Sequence, residues 1–406
     1  MRLINRATPL LKSLIPMSTP DARSNGEPRP IGVVVVEGYP PAHSYGGPAV
    51  SSANLVEATK SLVDWRVITR NDDIGREQGR RLAPEAQWIG ADPVLLRTNS
   101  YPRMSLELVR LLRREKVRLV VANSLFAPST RSVLLSTALW PELRPVVLPR
   151  GELDPGALAI NPRRKRLFIA FLKALGQDRR VCFAATSDLE RRNVARVFPG
   201  GELRILPCIP VSPDRVPFQA RPPGATLRLV FNSRISPKKG LHLAVAAVNE
   251  LPDDWDVTYD IYGSVESDYG RHCINLAQKG PHPERFRWLG IHAPADILIG
   301  LGEYHAMLLP TQGENFGHAI FEALAAGTPV LIPDTTPWTA TVRAGAGMLL
   351  ETLTGEAVTC RLAGLRMQDS DQQLTMRRAA RAAALSYYKG VHELVSVAVL
   401  DLLRAA

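Results

Sequence analysis

The sequence predicts an α/β protein made of two doubly wound domains that face each other across a cleft. Three observations predict it. Short β-branched runs alternate with helical patterns in both halves of the chain. The first run, Ile31–Val36, is followed by a glycine loop and a helix, the opening of a doubly wound sheet. A proline-crowded stretch from Pro207 to Pro223 separates the two alternations and reads as a linker.

The elements follow in order. Ile31–Val36 (IGVVVV) has the continuous apolar character of a strand buried on both faces. Gly46 and Gly47 sit in the loop behind it and permit close backbone approach to a ligand, and a helix runs from about Val50 to Leu62. The loop lacks G-x-G-x-x-G, so it is no dinucleotide fingerprint. Trp65–Thr69, Arg118–Ala122, Pro145–Leu148, Cys182–Ala185 and a start at Arg204–Ile205 are further strands, with helices near Arg103–Lys116 and Pro162–Leu175. The second half gives strands at Leu227–Phe231, Val257–Tyr262, Arg285–Leu289, Ala306–Leu309 and Val330–Ile332, with a helix at Leu241–Asn249. From about Gln372 the chain is helical, with a break expected at Gly390. The expected units are a tail over 1–28, a first domain over 29–217 and a second over 226–385. Residues 1–28 are rich in Pro, Ser and Arg and offer Met17 as an alternative start. No signal peptide is expected there.

Composition narrows the function. No apolar run approaches the ~20 residues of a membrane span. Cys182, Cys208, Cys273 and Cys360 are scattered, as expected of thiols in a reducing compartment. No metal-ligand spacing occurs. Asp254-Trp-Asp256 reads as a helix-to-strand turn rather than a metal site. The net charge of +11 is uneven: residues 1–217 carry +13 and residues 218–406 carry −2. A basic first half implies an anionic partner. Nucleic acid is not expected, because no basic motif is interleaved with aromatics. A membrane surface or a phosphorylated acceptor fits better. Arg163-Arg-Lys-Arg166 is followed by Leu167, Phe168, Phe171, Leu172 and Leu175 on one helical face. The Arg163–Leu175 helix has two readings: an interfacial helix on anionic lipid, or a helix burying that face in the domain.

Two motifs carry chemistry. In Thr311–Trp338, Glu314 and Glu322 stand eight residues apart, and Phe316-Gly317-His318 turns between them into a helix. Such a turn gathers free N–H groups and the positive helix end at one point, which suits a phosphate. One carboxylate near a sugar and one near a ribose is a sensible use of the pair. In FNSRISPKKG, Arg234 and Lys239 flank a tight turn before the helix that Gly240 opens. Two cations beside a helix start make a diphosphate site.

At these residues the chain resembles the GT-B glycosyltransferases, in particular glycosyltransferase family 4. Its E-x7-E signature is matched by Glu314 and Glu322, and its R-x4-K-G pattern by Arg234, Lys239 and Gly240. YGGPAVSSANLVEA, LPRGELDPGAL and FAATSDLE resemble a bacterial polysaccharide-building branch of that family. The likeness spans roughly residues 31–340. It implies a GT-B fold whose C-terminal helix, about 386–406, crosses back to the first domain. It implies a retaining transfer from a nucleotide sugar of UDP or GDP type, with no metal or other cofactor. Arg234, Lys239 and Glu314 would be catalytic. Glu322, Phe316, Gly317, His318, Gly46 and Gly47 would bind the donor, as would Gly290 and Ile291 beside the base.

Arg150 and Glu152 fall on the acceptor side. Relatives often carry a His pair where this chain has Arg150-Gly151. A guanidinium stays protonated and cannot be a general base, so Arg150 would hold a phosphate or an acceptor oxygen. His305 stands where relatives often have Asp. The expected acceptor is a saccharide or lipid-linked saccharide, and the expected location is cytoplasmic, at the inner face of a membrane. A nucleotide-sugar epimerase and a non-catalytic membrane-associated subunit are the alternatives.

Overall fold

The computed structural model describes residues 28–42, 45–73, 81–84, 87–90, 92–220 and 226–405. The expected N-terminal tail lies outside these residues, apart from position 28. Two sheets organise the chain. The first runs β3-β4-β2-β1-β5-β6-β7-β8, from β1 (Ile31–Val36), β2 (Asp64–Thr69), β3 (Trp88–Ile89), β4 (Val94–Arg97), β5 (Val117–Asn123), β6 (Val146–Leu148), β7 (Cys182–Ala185) and β8 (Glu202–Ile205). All its pairings are parallel except β3 with β4. The second runs β11-β10-β9-β12-β13-β14, all parallel. Its strands are β9 (Leu227–Asn232), β10 (Val257–Tyr262), β11 (Phe286–Gly290), β12 (Ala306–Leu308), β13 (Val330–Pro333) and β14 (Gly347–Leu350).

Side chains of a strand alternate between faces, so a strand covered on both sides must be apolar throughout. β1 meets this demand: Val33 and Val35 enter one core, Val34 and Val36 the other. Leaving aside antiparallel β3, the order of each sheet reverses once, between β1 and β5 and between β9 and β12. At such a switch point the loops leave in opposite directions and open a crevice at the carboxyl ends of the strands.

Several expectations shift. The first helix, α1 (Gly47–Thr59), begins three residues early because Pro48 occupies its first turn, where a missing N–H costs nothing. Helices α2 (Tyr101–Arg114), α3 (Pro128–Thr137), α4 (Pro162–Ala174) and α5 (Asp188–Val197) complete the layers of the first domain. In the second domain α6 (Leu241–Asn249) follows β9 and α7 (Asp268–Lys279) follows β10. Helix α8 (His318–Ala326) precedes β13.

The last helix, α9 (Ser370–Ala405), runs through Gly390 without the expected break. A mid-helix glycine costs only about 1 kcal/mol relative to alanine, and packing on both domains outweighs it. Ala380 and Ala384 enter the core of the second domain, whereas Val391, Val395, Val399 and Leu402 cover the first sheet. The helix therefore crosses back. Arg377, 1% exposed, fastens it by donating to the carbonyls of Gln219 (2.8 Å), Tyr304 (2.8 Å) and Gly302 (2.5 Å).

Candidate active site

The two switch points meet. A Cβ at Gly47 would come within 3.0 Å of His318, and one at Gly46 would lie 3.9 Å from the Arg234 side chain. Asn315 Nδ2 donates to Thr186 Oγ1 across the cleft at 3.0 Å.

On the second domain, the loop after β9 carries Arg234 and ends in a short turn, Pro237–Lys239. Gly240 then takes φ +69°, and a Cβ there would stand 2.1 Å from the Pro310 carbonyl. Only glycine lets this loop lie against the segment after β12. Gln312 N donates to Lys238 O at 2.8 Å and ties the two loops together. The result is a close ion pair: Lys239 Nζ lies 2.6 Å from Glu314 Oε1, with side chains only 14% and 9% exposed. Arg234 is exposed and has no ion-pair partner among the described residues.

Gly317, at φ +82°, opens α8, and no side chain caps that helix. Its first N–H groups and its positive end therefore face the cleft. An aromatic cluster sets its position. Phe316 packs on Trp338 and Tyr387, and Trp338 Nε1 donates to Phe316 O at 2.6 Å. Burial pushes the His318 imidazole down to about 4, with Arg150 acting in the same direction, so the ring is neutral near pH 7. Glu322 stands one turn further along and accepts from Asn232 Nδ2 at 3.4 Å. Burial raises its carboxyl, and His318 opposes that rise.

On the first domain, Arg150 follows β6 at φ +54°, and Gly151 follows at φ +74°. Its Nε donates to Asn123 Oδ1 at 2.9 Å, and its Nη1 lies 3.5 Å from Cys208 Sγ. Cys208 Sγ is in turn 3.4 Å from His318 Nε2, and its carbonyl accepts from Tyr387 Oη at 3.0 Å.

Glu152 is committed elsewhere. Its carboxylate accepts from Ser124 Oγ (2.6 Å), Leu125 N (2.6 Å) and Phe126 N (3.1 Å) and shapes the loop after β5. Gly290 and Ile291 stand at the end of β11, the sheet edge two strands from β9. Gly290 has φ +73° and Ile291 is 52% exposed. His305 is structural: its Nδ1 accepts from Arg228 N at 3.1 Å. Among the described residues, no group of three or more His, Cys, Asp or Glu side chains could hold a metal ion.

Residues 214–383 match the family model of glycosyl transferases group 1. That match spans most of the second domain. Solved structures give the same result for the fold. Sucrose-phosphate synthase from Thermosynechococcus elongatus matches with TM-score 0.76 and 16% identity, over 93% of this chain and all of that one. Anabaena Alr3699/HepE in complex with UDP and glucose matches with TM-score 0.67 and 16% identity, over 93% and 100%. WaaG, a glycosyltransferase involved in lipopolysaccharide biosynthesis, gives TM-score 0.63 and 16% identity, over 90% and 100%. The fold is GT-B. A comparison with curated proteins found no match.

Several residues of this cleft carry no signal in the sequence. Thr186, Cys208, Asn315 and Tyr387 join the domains through pairs far apart in the chain, and Asn123 ties Arg150 to Pro48 within the first domain. Thr186 lies within FAATSDLE, and its partner Asn315 is 129 residues away.

The basic helix α4 matches neither reading in full. The five residues Leu167, Phe168, Phe171, Leu172 and Leu175, the last just past its end, do not share one buried face. Leu172 is buried and Phe168 packs against the core, whereas Leu167, Phe171 and Leu175 are 73%, 57% and 55% exposed. Among the described residues no helix is long and apolar enough to cross a membrane.

Proposed function

We propose that the protein is a retaining, metal-independent glycosyltransferase of the family 4 type. It moves a sugar from a nucleoside-diphosphate sugar to a saccharide or lipid-linked saccharide. One observation carries this reading. Arg234 and the uncapped start of α8 border the glycine loop of the opposite domain, and the Lys239–Glu314 pair adjoins that helix start, where a Cβ at Gly317 would lie 3.5 Å from Glu314. Cations and a helix start at one point suit a diphosphate, and a buried carboxylate beside them suits sugar hydroxyls. The UDP and glucose in the HepE structure support a donor of UDP type.

Arg234 and Lys239 neutralise the diphosphate as the bond between sugar C1 and phosphate oxygen breaks. Preorganised charge of this kind is usually the largest single contribution to catalysis. The acceptor hydroxyl bonds to C1 on the same face and passes its proton to the leaving phosphate oxygen, which keeps the electron pair. Glu314 orients the sugar and Glu322 the ribose. Domain closure, fastened by Asn315 and Thr186, limits hydrolysis.

The acceptor side is the first domain. Exposed Leu167, Phe171 and Leu175 rise beside exposed Arg163, Arg164 and Arg166. That arrangement suits an anionic membrane surface and a lipid-linked acceptor, with the protein peripheral on the cytoplasmic side.

The test is product analysis with candidate nucleotide sugars and lipid-linked acceptors in a chelator. Transfer with the donor's anomeric configuration kept, and one nucleoside diphosphate released per bond, supports the reading. A new nucleotide sugar with no free nucleotide would make the protein an epimerase.

A further inference from the structure

We propose that Arg150 is a third cation on the leaving diphosphate, delivered from the first domain. The inference rests on the nucleotide-sugar reading above and moves Arg150 from the acceptor to the leaving group.

Its backbone is the first argument. A non-glycine residue at φ +54° followed by glycine at φ +74° is a costly turn, and such turns persist where surrounding structure holds them for a purpose. This one ends β6 with the Arg150 side chain aimed at the contact between the domains.

Its partners are the second argument. Asn123, 1% exposed, holds Arg150 Nε and also donates to Pro48 O at 2.9 Å. Pro48 directly follows Gly46 and Gly47, the glycines that border Arg234 and His318. On its other edge the guanidinium reaches Cys208 Sγ, which touches His318 at the start of α8. Arg150 is thus two contacts from the glycine loop and two from the helix start.

Charge is the third argument. Arg150 and Arg234 come from opposite domains, and neither pairs with a carboxylate among the described residues. Glu314, the nearest acid on the facing loop, is taken by Lys239. Arg150 Nη2 has no partner among the described residues. Two guanidinium groups without counter-ions, on either side of a glycine loop and beside a helix start, call for a multiply charged anion. A neutral sugar hydroxyl would use one donor and leave both charges uncompensated.

Because the cation arrives with the first domain, diphosphate binding draws the domains together. A nucleoside alone does not.

The test is calorimetry of the full chain and Arg150→Gln with UDP, GDP or ADP, whichever binds, and with the matching nucleoside. Melting temperatures check that both are folded. The proposal expects the variant to lose about tenfold or more in diphosphate affinity, the scale of one charge-assisted hydrogen bond, with nucleoside affinity unchanged. Unchanged diphosphate affinity together with a raised KM for acceptor overturns it and returns Arg150 to the acceptor. If the unsubstituted chain binds no nucleoside diphosphate, the nucleotide-sugar reading falls and takes this inference with it. Should Arg150→Gln not fold, Arg150→Met carries the same comparison, since it removes the charge and keeps an unbranched side chain.

Discussion

Lys239 and Glu314 form an ion pair at 2.6 Å, almost sealed from solvent, at the point where the diphosphate and the sugar are proposed to meet. The pair brings together a cation assigned to the leaving group and a carboxylate assigned to the sugar. Its geometry holds both before any ligand arrives. Lys239 must share its charge between Glu314 and a bound diphosphate, so removing the carboxylate leaves more of that charge for the nucleotide. Glu314→Gln is expected to lower kcat at least about a hundredfold while nucleoside-diphosphate affinity stays equal or rises. Lys239→Ala is expected to weaken that affinity about tenfold or more. Steady-state kinetics and calorimetry on the two variants read both effects.

Glu322 separates ribose from phosphate. Its carboxylate lies beyond the first turn of α8 and, among the described residues, accepts one long bond, from Asn232, which leaves it acceptor capacity. Glu322→Ala is expected to cost about tenfold in nucleotide affinity. The same loss should appear when the unsubstituted enzyme meets a deoxyribose analogue, and the two losses should not add. Full additivity would place Glu322 away from the ribose.

Stability should fall in mild acid. Burial pushes His305 down to about 4, with Arg377 and Arg228 acting the same way. The unfolded residue protonates near 6.5, so between these values the unfolded chain binds more protons and stability drops as pH is lowered. The contribution is complete above about pH 6.5 and gone near pH 4, with an upper limit of about 3 kcal/mol. His318 titrates over the same window. Melting curves from pH 7 to pH 4.5 should show the decline, and His305→Asn should flatten part of it.

Gly240→Ala tests the packing that carries Lys239. The new methyl would meet the Pro310 carbonyl at 2.1 Å in a left-handed backbone. A loss of about 2–4 kcal/mol is expected, together with weaker nucleotide binding. A variant of unchanged melting temperature would contradict the account of this loop.

The membrane reading rests on Leu167, Phe171 and Leu175. The expected result is flotation with vesicles containing anionic lipid, absent with neutral vesicles and reduced by salt. Leu167→Ser with Phe171→Ser should abolish flotation and leave nucleotide affinity unchanged. Equal binding to neutral vesicles would remove the electrostatic part of the argument.

The legible parts of this protein were those written locally. Glu314, Arg234 and Lys239 sit in short loops and Glu322 in the helix that follows, all within two short stretches of sequence, and β1 announces itself through an unbroken apolar run. The β3–β4 ribbon did not, because a two-residue edge strand has no period to read. Gly390 carries a local turn signal, but the packing of α9 on both domains outweighs it. Helical spacing put Leu167, Phe171 and Leu172 on one face but could not say which of them a neighbour covers. Cys208 and His318 are 110 residues apart, and Asn315 and Thr186 are 129 apart. Such pairs exist only once two domains are folded and closed, so no local pattern marks them.

The central claim is a diphosphate site at the junction of the two switch points. Calorimetry of the full chain with UDP, GDP and ADP in the presence of a chelator tests it most directly. Micromolar binding of one of the three, lost in Lys239→Ala, is the predicted result. No binding of any nucleoside diphosphate would contradict it.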